Sequence, residues 1–210
     1  MSDFACLQAA VKDRLSPYRF AHTVGVADMA ERLAALYCPD RASMLRAAAL
    51  LHDITKELDD GAQRALLAAA DIPLRTDELA SPKIYHGITA PVVIARDFPD
   101  FATAPLLSAV RWHTTGRAGM TLTEAILYLA DYIEEGRSFP DSVALRRRFF
   151  DAVPDKMHMT ARMAHLASVV RESLEMTVAE LTTAGAPVCE DTLAALAYFK
   201  NEQTPLERIL

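Results

Sequence analysis

The sequence predicts an all-α helical bundle, and three observations carry that prediction. Apolar residues recur at a helical period along most of the 210 residues. No stretch alternates convincingly in the manner of a strand. Prolines such as Pro82 and Pro105 stand near helix starts, where proline is tolerated. His22, Val26, Met29, Leu33 and Leu36 form one stripe in "YRFAHTVGVADMAERLAALY", and Pro39 stops that helix. A second helix is expected from about Arg41 to Leu58, then others over Gly61–Ala70, His86–Arg96, Ala104–His113 and Leu122–Glu135. Two or three more helices fill the C-terminal part, including roughly Met157–Leu181 and Thr192–Asn201, with "TTAGAPVCED" (Thr182–Asp191) as the clearest late loop. No internal repeat or long linker divides the chain. The expected organisation is one domain, 1–210, with a metal-binding core about 18–138 and C-terminal helices about 140–205 packed on it.

Composition narrows the function. Hydrophobic residues make up 51% of the chain, enough for a sizeable core. A formal net charge of -6 argues against a general binder of nucleic acid or anionic membranes. Phosphate binding would therefore need a local cation, either a few Lys and Arg or a metal. Cys6, Cys38 and Cys189 are odd in number, far apart and form no CxxC pair, so they read as reduced thiols. With no signal-peptide layout and no apolar run near the ~20 residues of a membrane span, a soluble, cytoplasmic protein is expected.

The informative residues are polar ones in apolar surroundings. In "RAAALLHDITKELDD", His52 and Asp53 follow five uninterrupted apolar residues, Ala47 to Leu51. His22 heads an apolar stripe, and Asp131 is the lone carboxylate in "AILYLADYI". A buried carboxylate costs several kcal/mol unless compensated. Taken singly, each has an ordinary reading: a hydrogen-bonded core histidine, or an aspartate that caps a helix or pairs with Arg. Two imidazoles and two carboxylates from three helices are harder to dismiss, because together they are what a divalent cation demands. His86 in "SPKIYHGITA" and His113 in "AVRWHTTGRAG" extend the order to H…HD…H…H…D.

That ordered set resembles the HD-domain metal-dependent phosphohydrolases, and within them the YqeK family of bacterial symmetrical dinucleoside tetraphosphatases. The matching pieces are "RFAHTVGVADMAERLA", "AALLHDITKE", "YHGITA", "WHTTG", "YLADYIEEGR" and the late "LTTAGAPVCEDTLAAL", nearly the whole chain. The resemblance implies an all-α HD-domain bundle and an iron-type metal held by His22, His52, Asp53 and Asp131. It also implies a nucleotide, a dinucleoside polyphosphate or an ADP-like one, with its phosphates against Lys56, His86, His113, Thr114 and Arg137. The implied reaction is hydrolysis of diadenosine tetraphosphate to two ADP. One departure is Glu135, where the family pattern has proline.

The residues support that chemistry independently. A divalent ion lowers the pKa of a bound water from ~16 to roughly 7 in the best-studied zinc case, which supplies hydroxide for attack on phosphorus. His and carboxylate ligands without cysteine suit Fe, Mn, Co or Ni over structural zinc. Lys56, three residues after Asp53 and four after His52, is expected on the same helix edge, with its ammonium toward a phosphate. Arg137, past Asp131, is a candidate bidentate phosphate clamp, and Arg19, before His22, a similar one. The catalytic candidates are thus Asp53, Lys56, His86 and His113. Arg19, Lys56, His86, His113, Thr114, Asp131 and Arg137 are the substrate-contacting candidates. A second ion, held through His86 and His113 and bridged by Asp53, is the alternative to their bonding phosphates. Other readings keep the metal but take another nucleotide (a nucleoside mono- or triphosphate or a cyclic dinucleotide), or make the protein a nucleotide-binding regulator with a structural metal. A homodimer is left open. The run Arg146–Arg148 reads as a solvated face, His158 and His165 as structural, and Trp112 and Tyr85 as core residues or base-stacking rings.

Overall fold

The structure, a computed structural model, describes residues 4–152, 154–202 and 206. The α-helices in order are α1 (Phe4–Lys12), α2 (Pro17–Tyr37), α3 (Ala42–Leu51), α4 (Asp60–Ala69), α5 (Thr76–Leu79) and α6 (Tyr85–Asp97). They continue with α7 (Ala104–Trp112), α8 (Leu122–Ile133), α9 (Pro140–Asp151), α10 (Met159–Thr183) and α11 (Glu190–Asn201). Among the described residues there is no strand, so the expected all-α class holds.

Local chemistry sets the helix starts that matter for the site. Ser16 caps α2, its hydroxyl accepting from the Arg19 amide at 3.2 Å, and Pro17 occupies the first turn. The Glu57 carboxylate accepts from the Ser16 amide at 2.7 Å, which ties the start of α2 to the segment after α3. Thr121 and Glu124 form a reciprocal capping box on α8. Glu124 is fully buried, and Arg117 answers its charge at 3.0 Å.

The core is built around α2, α3 and α8. Helix α2 packs on α3 and α8, while α7 lies against α3, α6 and α8. Helix α10 joins from the C-terminal side, touching α8, α9 and α11. Leu33, Leu50, Leu51, Ile126 and Leu127 are wholly buried. Each contributes roughly 1.5–3 kcal/mol relative to exposure. Among the described residues no helix is long and apolar enough to cross a membrane.

Three sequence expectations need correction. The second helix stops at Leu51 instead of reaching Leu58, and residues 52–57 are turns. The backbone bonds tighten there to three-residue steps, such as the Lys56 amide to the Asp53 carbonyl at 2.9 Å, and side chains add to them. The His52 ring meets the Ala49 carbonyl at 2.6 Å, and Thr55 meets Thr89 at 2.8 Å. Helix α8 ends at Ile133 instead of Glu135, and Arg146 donates to the freed carbonyls of Ile133 and Glu134. Helices α1 and α5 are absent from the expectation, and α9 falls within its C-terminal helices without bounds of its own. Helix α5 has only four residues, and α9 carries three consecutive arginines that blur its apolar face.

Candidate metal centre

Four imidazoles and two carboxylates meet where α2, the turn after α3, the starts of α6 and α8's last turn, and the end of α7 converge. His22 Nε2 lies 3.0 Å from Asp131 Oδ1 and 3.8 Å from Asp53 Oδ2. His52 Nε2 lies 3.5 Å from Asp53 Oδ2 and 3.9 Å from Asp131 Oδ1. On the other side of Asp53, Oδ1 is 3.4 Å from His86 Nε2 and 3.7 Å from His113 Nε2. Potential ligand atoms fall into three overlapping groups: His22, His52 and Asp53; His52, His113 and Asp131; Asp53, His86 and His113.

The outer nitrogens of three rings are anchored by acceptors. His52 Nδ1 faces the Ala49 carbonyl at 2.6 Å and His113 Nδ1 the Val110 carbonyl at 2.6 Å. His22 Nδ1 faces Glu134 Oε1 at 3.2 Å. Each acceptor takes a hydrogen on Nδ1, so that the neutral ring presents its Nε2 lone pair inward. The Nε2 atoms of His22 and His52 are buried and have no partner in hydrogen-bond geometry. Orphaned acceptors beside two carboxylates fit a cation: it satisfies the lone pairs and compensates both charges at once.

The electrostatics point the same way. Burial alone would raise the pKa of Asp53, but the surrounding imidazoles, His52 first and then His113 and His86, outweigh it and hold the carboxyl well below its usual range. Asp131 is also held low, against burial, by His22 and the Arg137 guanidinium. Burial would lower the His22 pKa, yet the adjoining carboxylates of Asp131 and Glu134 prevail and push it up to about 9. Burial pushes His86 and His113 down, with the Lys56 charge adding to the shift at His86. Both carboxylates therefore stay ionised, while His86 and His113 stay neutral.

Every sequence-predicted site residue lies at this centre. Lys56 Nζ is 3.2 Å from the His86 ring, although the three residues His52, Asp53 and Lys56 share a turn and not a helix edge. Thr114 Oγ1 is 2.9 Å from His86 Nε2 and 3.0 Å from His113 Nε2. Arg19 donates to Asp53 Oδ2 at 2.8 Å and Arg137 to Asp131 Oδ1 at 2.6 Å. The Asp131 side chain is 21% exposed, less buried than its sequence setting implies, because α8's last turn opens on a cavity shared with Arg137. The departure at Glu135 is harmless. It occupies the second position of a turn closed by the Arg137 amide on the Glu134 carbonyl at 3.0 Å, where proline also fits.

Two residues escaped the sequence reading. Glu134 orients His22, and Gly25 makes room for it: a Cβ there would lie 2.5 Å from Glu134 Oε2. A glycine inside a helix, about 1 kcal/mol worse than alanine, was the available signal. Other candidates take plainer roles. Asp191 pairs with Arg75 at 2.6 Å. His165 meets the Phe149 carbonyl at 3.0 Å, and His158 caps α10. Arg146 braces the loop after α8 instead of lying free on a solvated face. Trp112 is half-buried beneath Arg111, whose guanidinium carbon is 4.1 Å from the ring centre.

With the geometry in place, the HD-domain family description matches residues 19–136, which contain all ten of the residues just placed except Arg137. The chain belongs to the HD-domain family. This HD protein is 33% identical over 199 residues to a Halalkalibacterium halodurans protein named symmetrical bis(5'-nucleosyl)-tetraphosphatase, covering 92% of this chain and 95% of that one. A Bacillus subtilis protein of the same name is 33% identical over 139 residues, 66% of this chain and 73% of the relative. A Clostridium acetobutylicum crystal structure, described as a predicted HD superfamily hydrolase involved in NAD metabolism, superposes with a TM-score of 0.81. It is 26% identical and covers 95% of this chain and 98% of its own. The HD domain and the His/Asp groups together suggest a divalent metal.

Proposed function

We propose that this HD protein hydrolyses diadenosine tetraphosphate symmetrically, giving two ADP, with a divalent metal held by His22, His52, Asp53 and Asp131. The observation that carries the reading is the pair of orphaned Nε2 atoms facing two ionised carboxylates. The names of relatives that align over nearly the whole chain supply the substrate. Nitrogen and oxygen donors without thiolate favour an iron-type ion, with Mn, Co and Ni as alternatives. When bound, the ion supplies Lewis acidity and a water-derived nucleophile that is ionised near neutral pH.

The chain's own residues do the positioning. Lys56, Thr114, His86 and His113 line one side of the centre, and Arg19 and Arg137 the other. Their cations sit where a polyphosphate crossing the centre would accumulate negative charge. Burial lowers the Lys56 pKa, although Asp53 and Asp131 oppose the shift. Beside Lys56 and Thr114 a cavity of about 380 Å³ is lined by Pro82, Ile84, Leu181, Pro187 and Cys189. Its size and apolar walls suit one nucleoside, and the late loop closes its far side while Asp191 stays on Arg75. Anchoring one ADP half there sets the register, so that the water oxygen bonds to its outer phosphorus and the bridging oxygen leaves with the second ADP. His86 and His113 contact phosphate in this scheme; a second ion there is the alternative.

Hydrolysis in oxygen-18 water tests the proposal. The metal-loaded protein should release ADP alone, with one label per two ADP. AMP plus ATP would reject symmetrical cleavage. No turnover with Fe, Mn, Co or Ni on a nucleotide panel would favour a binding protein.

A further inference from the structure

The cavity beside Lys56 accounts for one nucleoside of a two-nucleoside substrate. On the Arg137 side of the centre lies a different cavity, of about 410 Å³, whose lining includes Tyr18, Arg19, His22, Arg137 and Phe139. Tyr18 and Phe139 are 77% and 60% exposed, the highest values among the large hydrophobic residues described. They lie at opposite ends of the HD segment in sequence, yet both line the cavity that reaches the candidate ligand His22. A solvent-facing aromatic forgoes the stabilisation of burial, and two beside one polar centre mark a binding surface.

Both rings stand on fixed backbone. Tyr18 follows Pro17 in the first turn of α2, four residues before His22 and thus on the same helix face. Phe139 is the cap residue of α9, and the loop before it is held by Arg146 on the carbonyls of Glu134 and Arg137. Arg19 and Arg137 stand between the rings and the metal centre, where the last phosphates of a chain leaving the centre would pass.

We propose that Tyr18 and Phe139 form the subsite for the second nucleoside, the half that departs as ADP, by stacking on its base. This inference rests on the dinucleotide reading above. Stacking uses the π-face that every base presents, so this end tolerates any base. The arrangement makes an asymmetric site for a symmetrical substrate: one half lies in the largely apolar cavity beside Lys56, the other on two solvent-exposed rings.

Calorimetry with the metal-loaded protein separates the two subsites. The probes are ADP and a diadenosine tetraphosphate analogue with a non-hydrolysable central bridge. Tyr18→Ala and Phe139→Ala should each weaken the analogue by about tenfold, the scale of one base–aromatic stack. ADP affinity should be unchanged, and Tyr18→Phe and Phe139→Tyr should retain analogue binding. Equal losses for both probes, loss of ADP alone, or no loss would overturn the subsite, whatever happens to oligomeric state. If the wild-type protein neither binds the analogue nor cuts the natural dinucleotide, the functional reading fails, and this inference with it.

Discussion

The inner ring of the centre and its outer rim are built differently. His22 and His52 are fixed from behind, by Glu134 and by the Ala49 carbonyl, and point unpartnered Nε2 atoms inward. Arg19, Lys56, Thr114 and Arg137 instead rest their polar ends on the site's own side chains, Arg137 adding a bond to the Asp131 main-chain carbonyl at 3.0 Å. A rigid ring suits an ion, whose ligand geometry must be kept. A rim of long side chains suits phosphates, which they can follow by leaving their present partners. The difference separates two functions within a few ångströms, and each prediction below removes one part of it.

The largest effect is expected from the ring. Asp131→Ala should lose metal and turnover together, read by elemental analysis and product formation. Chelation should do the same and lower the melting temperature, because an ion that binds only the folded state stabilises it by about 2.7 kcal/mol at a hundred times Kd. Since Asp131 and Glu134 push the His22 pKa up to about 9, uptake at neutral pH displaces a proton. Affinity should therefore fall as pH drops from 9 through neutrality. An Asp131→Ala protein with full metal and full activity would remove Asp131 from the ring.

The rim should break without disturbing the ring. Lys56→Ala and Arg137→Ala should keep metal and slow turnover by about ten- to a hundredfold, the worth of one charge-assisted contact. Stoichiometric loss of metal in either variant would erase the division. His86→Ala, measured the same way, asks whether the second side of Asp53 holds phosphate or an ion; loss of one of two metal equivalents would establish the ion.

This contrast also explains what was legible in sequence. The ring could be read because helical periodicity places His22 and Asp131 among apolar residues, where polar groups need a reason. Lys56 was found for the wrong geometric reason: the helix expected to carry it ends at Leu51, and a turn brings it to His86. Periodicity cannot see that ending, because Ile54 and Leu58 continue an apolar pattern past it. Glu134 was invisible because its partner His22 is 112 residues away, and only Gly25 hinted that α2 makes room for something. Tyr18 and Phe139 gave no periodic signal, since exposed residues take part in no packed stripe.

A smaller effect probes what stands behind the ring. Glu134→Gln preserves shape and an acceptor for His22 Nδ1 but removes the charge. Metal affinity should fall by about tenfold, the lower end for outer partners of metal-bound histidines. Gly25→Ala should act in the same direction by crowding Glu134, with Oε2 only 2.5 Å from the new Cβ. If both variants bind metal as tightly as wild type, His22 is held by α2 alone.

The smallest effect should come from Trp112, which neighbours the ring in sequence but serves neither ring nor rim. Its side chain follows α7 beside His113, which made base stacking a fair expectation. The structure instead sets Arg111 over the ring at 4.1 Å, and Glu78 holds that guanidinium at 2.9 Å. Arg117 approaches the same ring at 5.9 Å while bound to buried Glu124. The indole thus sits among cations that already have acidic partners, an exposed-type cation–π arrangement worth about 0.5–1 kcal/mol. Trp112→Ala should leave metal content, turnover and nucleotide affinity unchanged and lower the melting temperature by about 2–4 °C, the shift for about 1 kcal/mol in a chain of this size. A tenfold loss of nucleotide affinity with the melting temperature unchanged would place a base on Trp112 and extend the rim beyond Thr114.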